Sequence, residues 1–284
     1  MSNGAPWWAA LTRPAFSLLG TARPWLVALV RLGIAAKGVV QLLIGALALA
    51  AALGEPRGRV TDAAGALRPL AREPFGRPLV LAVGIGLLAY ATFRLVQAVF
   101  DPEHRPPGWS RRFFRLADGV SGVAYLLLGV GTTKLFLGLG APVSGDVRSR
   151  AWTGEALALP YGPILLTLSA AVVAGIALLF LARSLVVRDV CADLEVEELG
   201  ASGCRAAALL IRVASLVQAC LFGTIATLLY RAAQIQDPGQ VSSTGGALRL
   251  LGARHGTTAL TLLAIGLLAM AGSSFVEARF RKLR

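Results

Sequence analysis

RLGIAAKGVVQLLIG (31–45), RLADGVSGVAYLLLG (115–129) and RVASLVQACLFGTIA (212–226) are three versions of one segment. Laid over one another, they bring Arg31, Arg115 and Arg212 to a common start. Small residues then recur together: Gly33, Ala117 and Ala214, next Gly38, Gly122 and Ala219, next Gly45, Gly129 and Ala226. Downstream, GALRPLAREPFG (65–76) resembles GALRLLGARHG (246–256), with TGEALALPYG (153–162) as a weaker counterpart. Each unit therefore reads as a helical span, an outer loop with a short helix, and a returning span. Two spans per unit is an even number, so all three units enter with the same polarity and are related by rotation about the membrane normal.

The rest of the chain agrees with spans rather than a soluble core. Of 284 residues 56% are hydrophobic and 15% charged, with a mean hydropathy of +0.68, whereas soluble domains carry roughly 25% charged residues. Apolar runs at 32–53, 79–100, 116–137, 164–187, 206–230 and 257–276 each approach the 20 or so residues a bilayer core requires. They are apolar on nearly every side, which excludes the alternating strands of a membrane barrel. The expected fold class is an all-α integral membrane protein of six transmembrane helices, arranged as three parallel two-helix repeats about a pseudo-threefold axis. The expected units are 29–106, 113–195 and 206–284, the last ending in a basic tail. Ahead of them, segment 1–28 is broken by Arg13 and Pro14, lacks a clean small-residue cleavage pattern, and reads as partly interfacial with Trp7 and Trp8 as anchors.

The openings RLGIAAKGVVQLLIG and the return FGRPLVLAVGIGLLAYATFRLVQA (75–98) resemble the bacterial family called domain of unknown function 1206. The resemblance covers about 29–284 and is strongest in the first repeat, where Lys37 and Gly38 match the pattern; the other repeats carry Ser121 and Gln218 in place of the lysine. It implies six spans in three repeats and brings no activity with it.

Charge sets the expected orientation. The chain has 28 basic and 15 acidic residues. Assigning each embedded cation to its nearer helix end puts seventeen of the 28 on the side holding both termini and eleven on the other. Positive-inside bias then places both termini in the cytoplasm of a bacterial inner membrane. The cations flank apolar runs instead of forming a polar face, so anionic lipid headgroups are the expected partner and nucleic acid is not. A partner protein or a second copy of the chain is the further partner class. Cys191, Cys204 and Cys220 show no close pairing, and His104 and His255 form no metal motif, so no metal or cofactor is expected.

Charge inside hydrocarbon costs at least about 2.5 to 3.5 kcal/mol at the midplane, so embedded polar residues need a reason. Lys37, Gln41, Arg94, Gln97, Asp118, Ser121, Tyr125, Arg183 and Gln218 all fall toward the cytoplasmic leaflet. Lys37, Ser121 and Gln218 are equivalent positions of the three repeats, and Gln41, Tyr125 and Phe222 are equivalent one turn deeper. Such a layer could line a vestibule or grip a phospholipid headgroup; alternatively, the cations snorkel to the interface on their own stems. Asp118 is the acidic residue among the odd-helix starts, placed to pair with Arg115 one turn earlier or to stand beside Lys37. Gly38, Gly45, Gly122 and Gly129 read as helix-packing positions, since small residues let backbones approach where lipid offers no hydrophobic drive.

In the outer loops, Asp62, Thr153 and Thr244 precede alanine- and leucine-rich stretches and are expected as N-caps of interfacial helices that close the outer face of the bundle, with Arg68 and Arg72 on the wet side. Phosphate-binding loops, paired histidines and a cysteine with a base are all missing, so no enzyme is expected. Two function classes remain: a structural or accessory envelope protein binding lipid or a partner protein, and a small permease or channel for a small solute or anion along the pseudo-threefold axis. Polar groups confined to one side favour the first.

Overall fold

The computed structural model describes residues 7–100, 109–140, 142–185 and 196–280, and every regular element among them is helical. The elements are α1 (Trp7–Ala52), α2 (Ala63–Leu70), α3 (Gly76–Phe100), α4 (Trp109–Phe136), α5 (Gly145–Leu157), α6 (Gly162–Leu185), α7 (Val196–Ile235) and α8 (Thr244–Phe280), with a 3-10 turn at Pro238–Gln240. Six helices, α1, α3, α4, α6, α7 and α8, contain stretches long and apolar enough to span a bilayer. The chain is an all-α, multi-pass membrane protein. Within α8, Gly256 adopts φ 80° and ψ −173°, a backbone that side chains resist, and this separates a short helix from the returning span. The third unit thereby matches the first two. Helix α1 begins at Trp7, so residues 7–28 are helical and continuous with the first span.

Helix packing follows the repeats and departs from them once. The seams between units are α3 on α4, α6 on α7, and α8 on α1, while α1 on α3 and α7 on α8 pack within units. Among the described residues, α4 and α6 do not pack on each other, so the middle repeat is a pair in sequence and not in space. Its spans are held by their neighbours. Leu166, Ala170 and Ala177 are buried in α6, but its other faces present Ile164, Leu168, Leu178 and Leu185 outward, as expected for a helix apolar all round.

The short helices are tied into the bundle at their starts. Beyond α1 the chain turns back, and the Arg59 amide donates to the Leu47 carbonyl at 3.1 Å, five residues and thus about 7.5 Å below the end of α1. Pro142 likewise lies against Gly131 of α4, where an added Cβ would stand 2.7 Å from the proline Cβ. The short helices therefore begin inside the bundle, with Leu67 and Leu248 fully buried in the main core. Their starts meet one another. Asp62 caps α2 by accepting from the Gly65 amide at 2.8 Å, and its second oxygen accepts from Ser144 Oγ at 2.9 Å and the Gly145 amide at 2.5 Å. Asp146 accepts from the Ser243 amide at 2.6 Å and pairs with Arg249. Gly245 crosses the loop before α2 so closely that an added Cβ would lie 2.6 Å from the Asp62 amide nitrogen.

An arginine ring ties this plug together. Arg68, Arg150 and Arg249 each stand six positions after the residue preceding their short helix, namely Asp62, Ser144 and Ser243. Arg68 donates to the Pro142 carbonyl at 2.9 Å, Arg150 to Val241 at 3.3 Å and Arg249 to Val60 at 3.2 Å. Each acceptor lies three positions before the start of the next unit's short helix, so the bonds run cyclically around the pseudo-threefold axis. Two N-cap expectations are corrected: Asp62 caps α2, but Thr153 is buried inside α5, whose preceding residue is Ser144, and Thr244 is the first residue of α8 itself. The weak middle repeat, read by composition alone, placed its register nine residues late. Arg68 is exposed and also spends part of its guanidinium on Pro142. Cys204 is disulfide-bonded, a pairing that sequence spacing does not reveal, and Cys220 is free.

Candidate functional site

Antiparallel packing of α3 on α4 builds the charged part of the site. On α3, Tyr90, Arg94 and Gln97 share one face through their four- and three-residue spacing. The Arg94 Nε donates to the Tyr90 hydroxyl at 2.8 Å, and its Nη1 reaches Gln97 Oε1 at 3.2 Å and Asp118 Oδ1 of α4 at 2.7 Å. Asp118 is buried, so the pair is shielded from solvent, and the extra hydrogen bonds offset the cost of desolvating it. Asp118 therefore pairs with Arg94. Arg115, its expected partner one turn away, donates to the Ala98 and Val99 carbonyls, both at 2.7 Å, satisfying the carbonyls that the end of α3 leaves open.

Two aromatic rings connect this pair to α1. Tyr125 stands edge-on to Tyr90 with centroids 4.8 Å apart. Lys37 Nζ lies 5.6 Å from the Tyr90 ring centroid and the Arg94 guanidinium 5.2 Å from it, both within cation–π range. Protein surrounds Lys37 and Tyr125, yet both keep some accessible surface, as side chains lining a vestibule would. Lys37 makes no hydrogen bond or ion pair with any described residue; its electrostatic neighbours are Tyr90, Tyr125, Glu277 and Arg94. One turn deeper, buried Gln41 accepts from Ser274 Oγ of α8 at 2.8 Å. Arg183 lies 3.9 Å from Glu277. The half-buried Ser121 and Gln218 side chains make no hydrogen bond among the described residues.

The structure places the expected polar layer in three unlike seams. Taking Gly76, Gly162 and Gly256 as equivalent starts of the returning spans makes Arg94, Phe180 and Ser274 equivalent, and likewise Gln97, Arg183 and Glu277. At the α3–α4 seam the equivalent groups are the Arg94–Asp118 pair and the tyrosines. At the α6–α7 seam Phe180 stacks on Phe222 with centroids 5.7 Å apart, and at the α8–α1 seam Ser274 bonds to Gln41. Only the first seam is charged at these positions. The ion pair of the equivalent residues Arg183 and Glu277 brings both side chains beside the axis. Tyr90 and Ser274 are the residues that the sequence reading left out of the site. The position of Tyr90 one turn before Arg94 was the available signal.

The packing glycines occupy matching seams. A Cβ added at Gly38 would meet Ser274 and Phe275 of α8 at 3.2 Å, and one at Gly45 would meet Leu268 at 3.0 Å. One at Gly122 would stand 2.8 Å from Leu95 of α3, and one at Gly129 2.9 Å from Leu88. On the far side of α4 an open apolar groove of about 590 Å³ is lined chiefly by Leu95, Val99, Leu116, Val120, Val123 and Trp152.

Comparison with known proteins agrees with the three-unit architecture. The family described as Domain of Unknown Function (DUF1206) matches three segments, residues 32–101, 119–186 and 213–281. Over 254 residues the chain is 30% identical to an uncharacterized protein of Bacillus subtilis (strain 168), YxxB, covering 87% of this chain and 88% of the relative. No solved structure matches. With three successive matches on three spatially repeated units, the chain belongs to the DUF1206 family of membrane proteins.

Proposed function

We propose that the chain is a non-enzymatic accessory protein of the bacterial cytoplasmic membrane, with both termini inside, that binds an anionic group at the Lys37, Arg94 and Tyr125 vestibule. The observation that carries this reading is Lys37, an ammonium enclosed by protein and seated on the Tyr90 ring with no carboxylate or carbonyl of the described residues bonded to it. A cation held in the membrane away from a paired partner is costly, so its retention points to a functional role. The plug supports binding over passage. Three short helices meet on the axis in the outer half, linked by Asp62, Asp146 and three arginines, with no room for a methyl group at Gly245.

The test is retention of copurified anionic lipid, read by native mass spectrometry. Lys37→Gln is expected to lower it several-fold relative to the double control Arg112→Gln with Arg279→Gln, which removes two exposed cations. Equal loss in both proteins would overturn the site. Anion flux through proteoliposomes, abolished by Lys37→Gln, would overturn the accessory reading in favour of a permease.

A further inference from the structure

We infer that the vestibule selects a singly charged anion, a phosphodiester in preference to a phosphomonoester. This rests on the anion-binding reading above and adds a charge count to it. Among the described residues, five charged side chains lie around the vestibule and the axis beside it: Lys37 from α1, Arg94 from α3, Asp118 from α4, Arg183 from α6 and Glu277 from α8. Asp118 neutralises Arg94 at 2.7 Å, and Glu277 lies 3.9 Å from Arg183. One positive charge, on Lys37, has no counterpart of its own among the described residues.

A ligand bringing one negative charge balances this set. A phosphomonoester, which approaches two charges at neutral pH, would leave an unmatched negative charge in a site largely surrounded by protein, and electrostatic mismatch of that kind costs affinity. The Tyr125 hydroxyl and the Lys37 ammonium supply hydrogen bonds to phosphoryl oxygens. A phosphodiester reaches this place from two sources, as the headgroup of a membrane phospholipid or as a free diester from water. Arg94 lends its charge to Tyr90 and Asp118 and acts as a positioning residue: it holds the ring on which Lys37 rests.

The experiment titrates the purified, delipidated full chain in zwitterionic detergent with phosphatidylglycerol, phosphatidic acid and phosphatidylcholine at about pH 8, with occupancy read by native mass spectrometry. The wild type is expected to favour phosphatidylglycerol over phosphatidic acid by about tenfold. Asp118→Asn raises the net charge by one and is expected to reverse that ratio, and Asp118→Glu to restore it. Because Asp118 is buried, Glu277→Gln gives the same charge step at a more exposed position, with the same expected direction. An unchanged phosphatidylglycerol to phosphatidic acid ratio in Asp118→Asn and Glu277→Gln would overturn the charge count. Loss of all anionic lipid preference no greater in Lys37→Gln than in the Arg112→Gln, Arg279→Gln control would instead overturn the site itself. A second arm measures thermal stabilisation by dimethyl phosphate against inorganic phosphate. Lys37-dependent stabilisation by the diester without lipid retention supports the soluble source, and retention of phosphatidylglycerol supports the lipid. Stabilisation by inorganic phosphate exceeding that by the diester would overturn the selectivity.

Discussion

Replacing Gly245 with alanine tests whether the three outer loops form one interlocked plug. A Cβ at this position would stand 2.6 Å from the Asp62 amide nitrogen, 2.8 Å from the Thr61 carbonyl carbon and 3.0 Å from Asp62 Cα. All three are backbone atoms, so no side chain can rotate away, and contacts of this kind prefer about 3.5 to 4.0 Å. The first and third loops must then part by about 1 Å. Overfilling of a packed site costs about 1 to 3 kcal/mol. The upper half of that range is expected here, because the same displacement would stretch the Arg249 bond to the Val60 carbonyl, already 3.2 Å long, beyond useful length. At about 2 kcal/mol, a chain of this size should lose about 4 to 8 °C in its unfolding midpoint. Thermal unfolding in detergent measures this, with Gly223→Ala as the comparison. Gly223 lies within α7 with nothing within 4 Å of an added Cβ, so that change should stabilise by about 0.5 to 1 kcal/mol through helix propensity alone. Gly245→Ala and Gly223→Ala shifting the midpoint in the same direction would refute the interlocked plug.

Two further outcomes are expected. Cysteine introduced at Arg57 should be labelled by a membrane-impermeant reagent in intact cells and cysteine at Arg112 only after lysis, both being exposed positions; the reverse pattern would invert the orientation. In the plug, burial acts to raise the Asp146 carboxyl, but hydrogen bonding from Ser243 and the nearby Arg249 guanidinium outweigh it and hold the group below its ordinary value of 3.8. Its ionised form therefore stabilises the fold above the ordinary carboxylate range, and that stabilisation is lost as pH falls through the lowered folded value. Lowering the pH from about 6 to about 3 should reduce the wild-type unfolding midpoint more than that of Asp146→Asn, and parallel decreases would refute the contribution.

Much of the architecture was legible in the chain because its signals are local. The recurrence of an arginine with small residues behind it at 31–45, 115–129 and 212–226 is enough to define three units, and run length against bilayer thickness defines six spans. The same arithmetic located the depth of Lys37, Arg94 and Asp118, since depth along a helix is a matter of counting residues. Partners were not legible in this way. Asp118 has Arg115 one turn away in sequence, yet it meets Arg94 because α3 packs on α4 and Arg115 is drawn to the open carbonyls at the end of α3. Nor did equal positions mean equal chemistry: Arg94, Phe180 and Ser274 share one place in the repeat and form an ion pair, an aromatic stack and a neutral hydrogen bond.

The plug is where sequence and tertiary structure divide most sharply. Amphipathic short helices near arginines look interfacial when each loop is read alone, because composition reports affinity for a boundary without saying which boundary. In the folded chain the boundary is the pseudo-threefold axis. The arginines six positions along bond to carbonyls of the next unit, and only closure of the three units around an axis brings Val60, Pro142 and Val241 within their reach. The period, the spans and the membrane class were determined by the sequence, through contacts each segment makes with lipid and with itself. The unpaired middle repeat, the interlocked short helices and the seat of Lys37 on the Tyr90 ring were decided by tertiary structure, because each depends on which distant side chain arrives first.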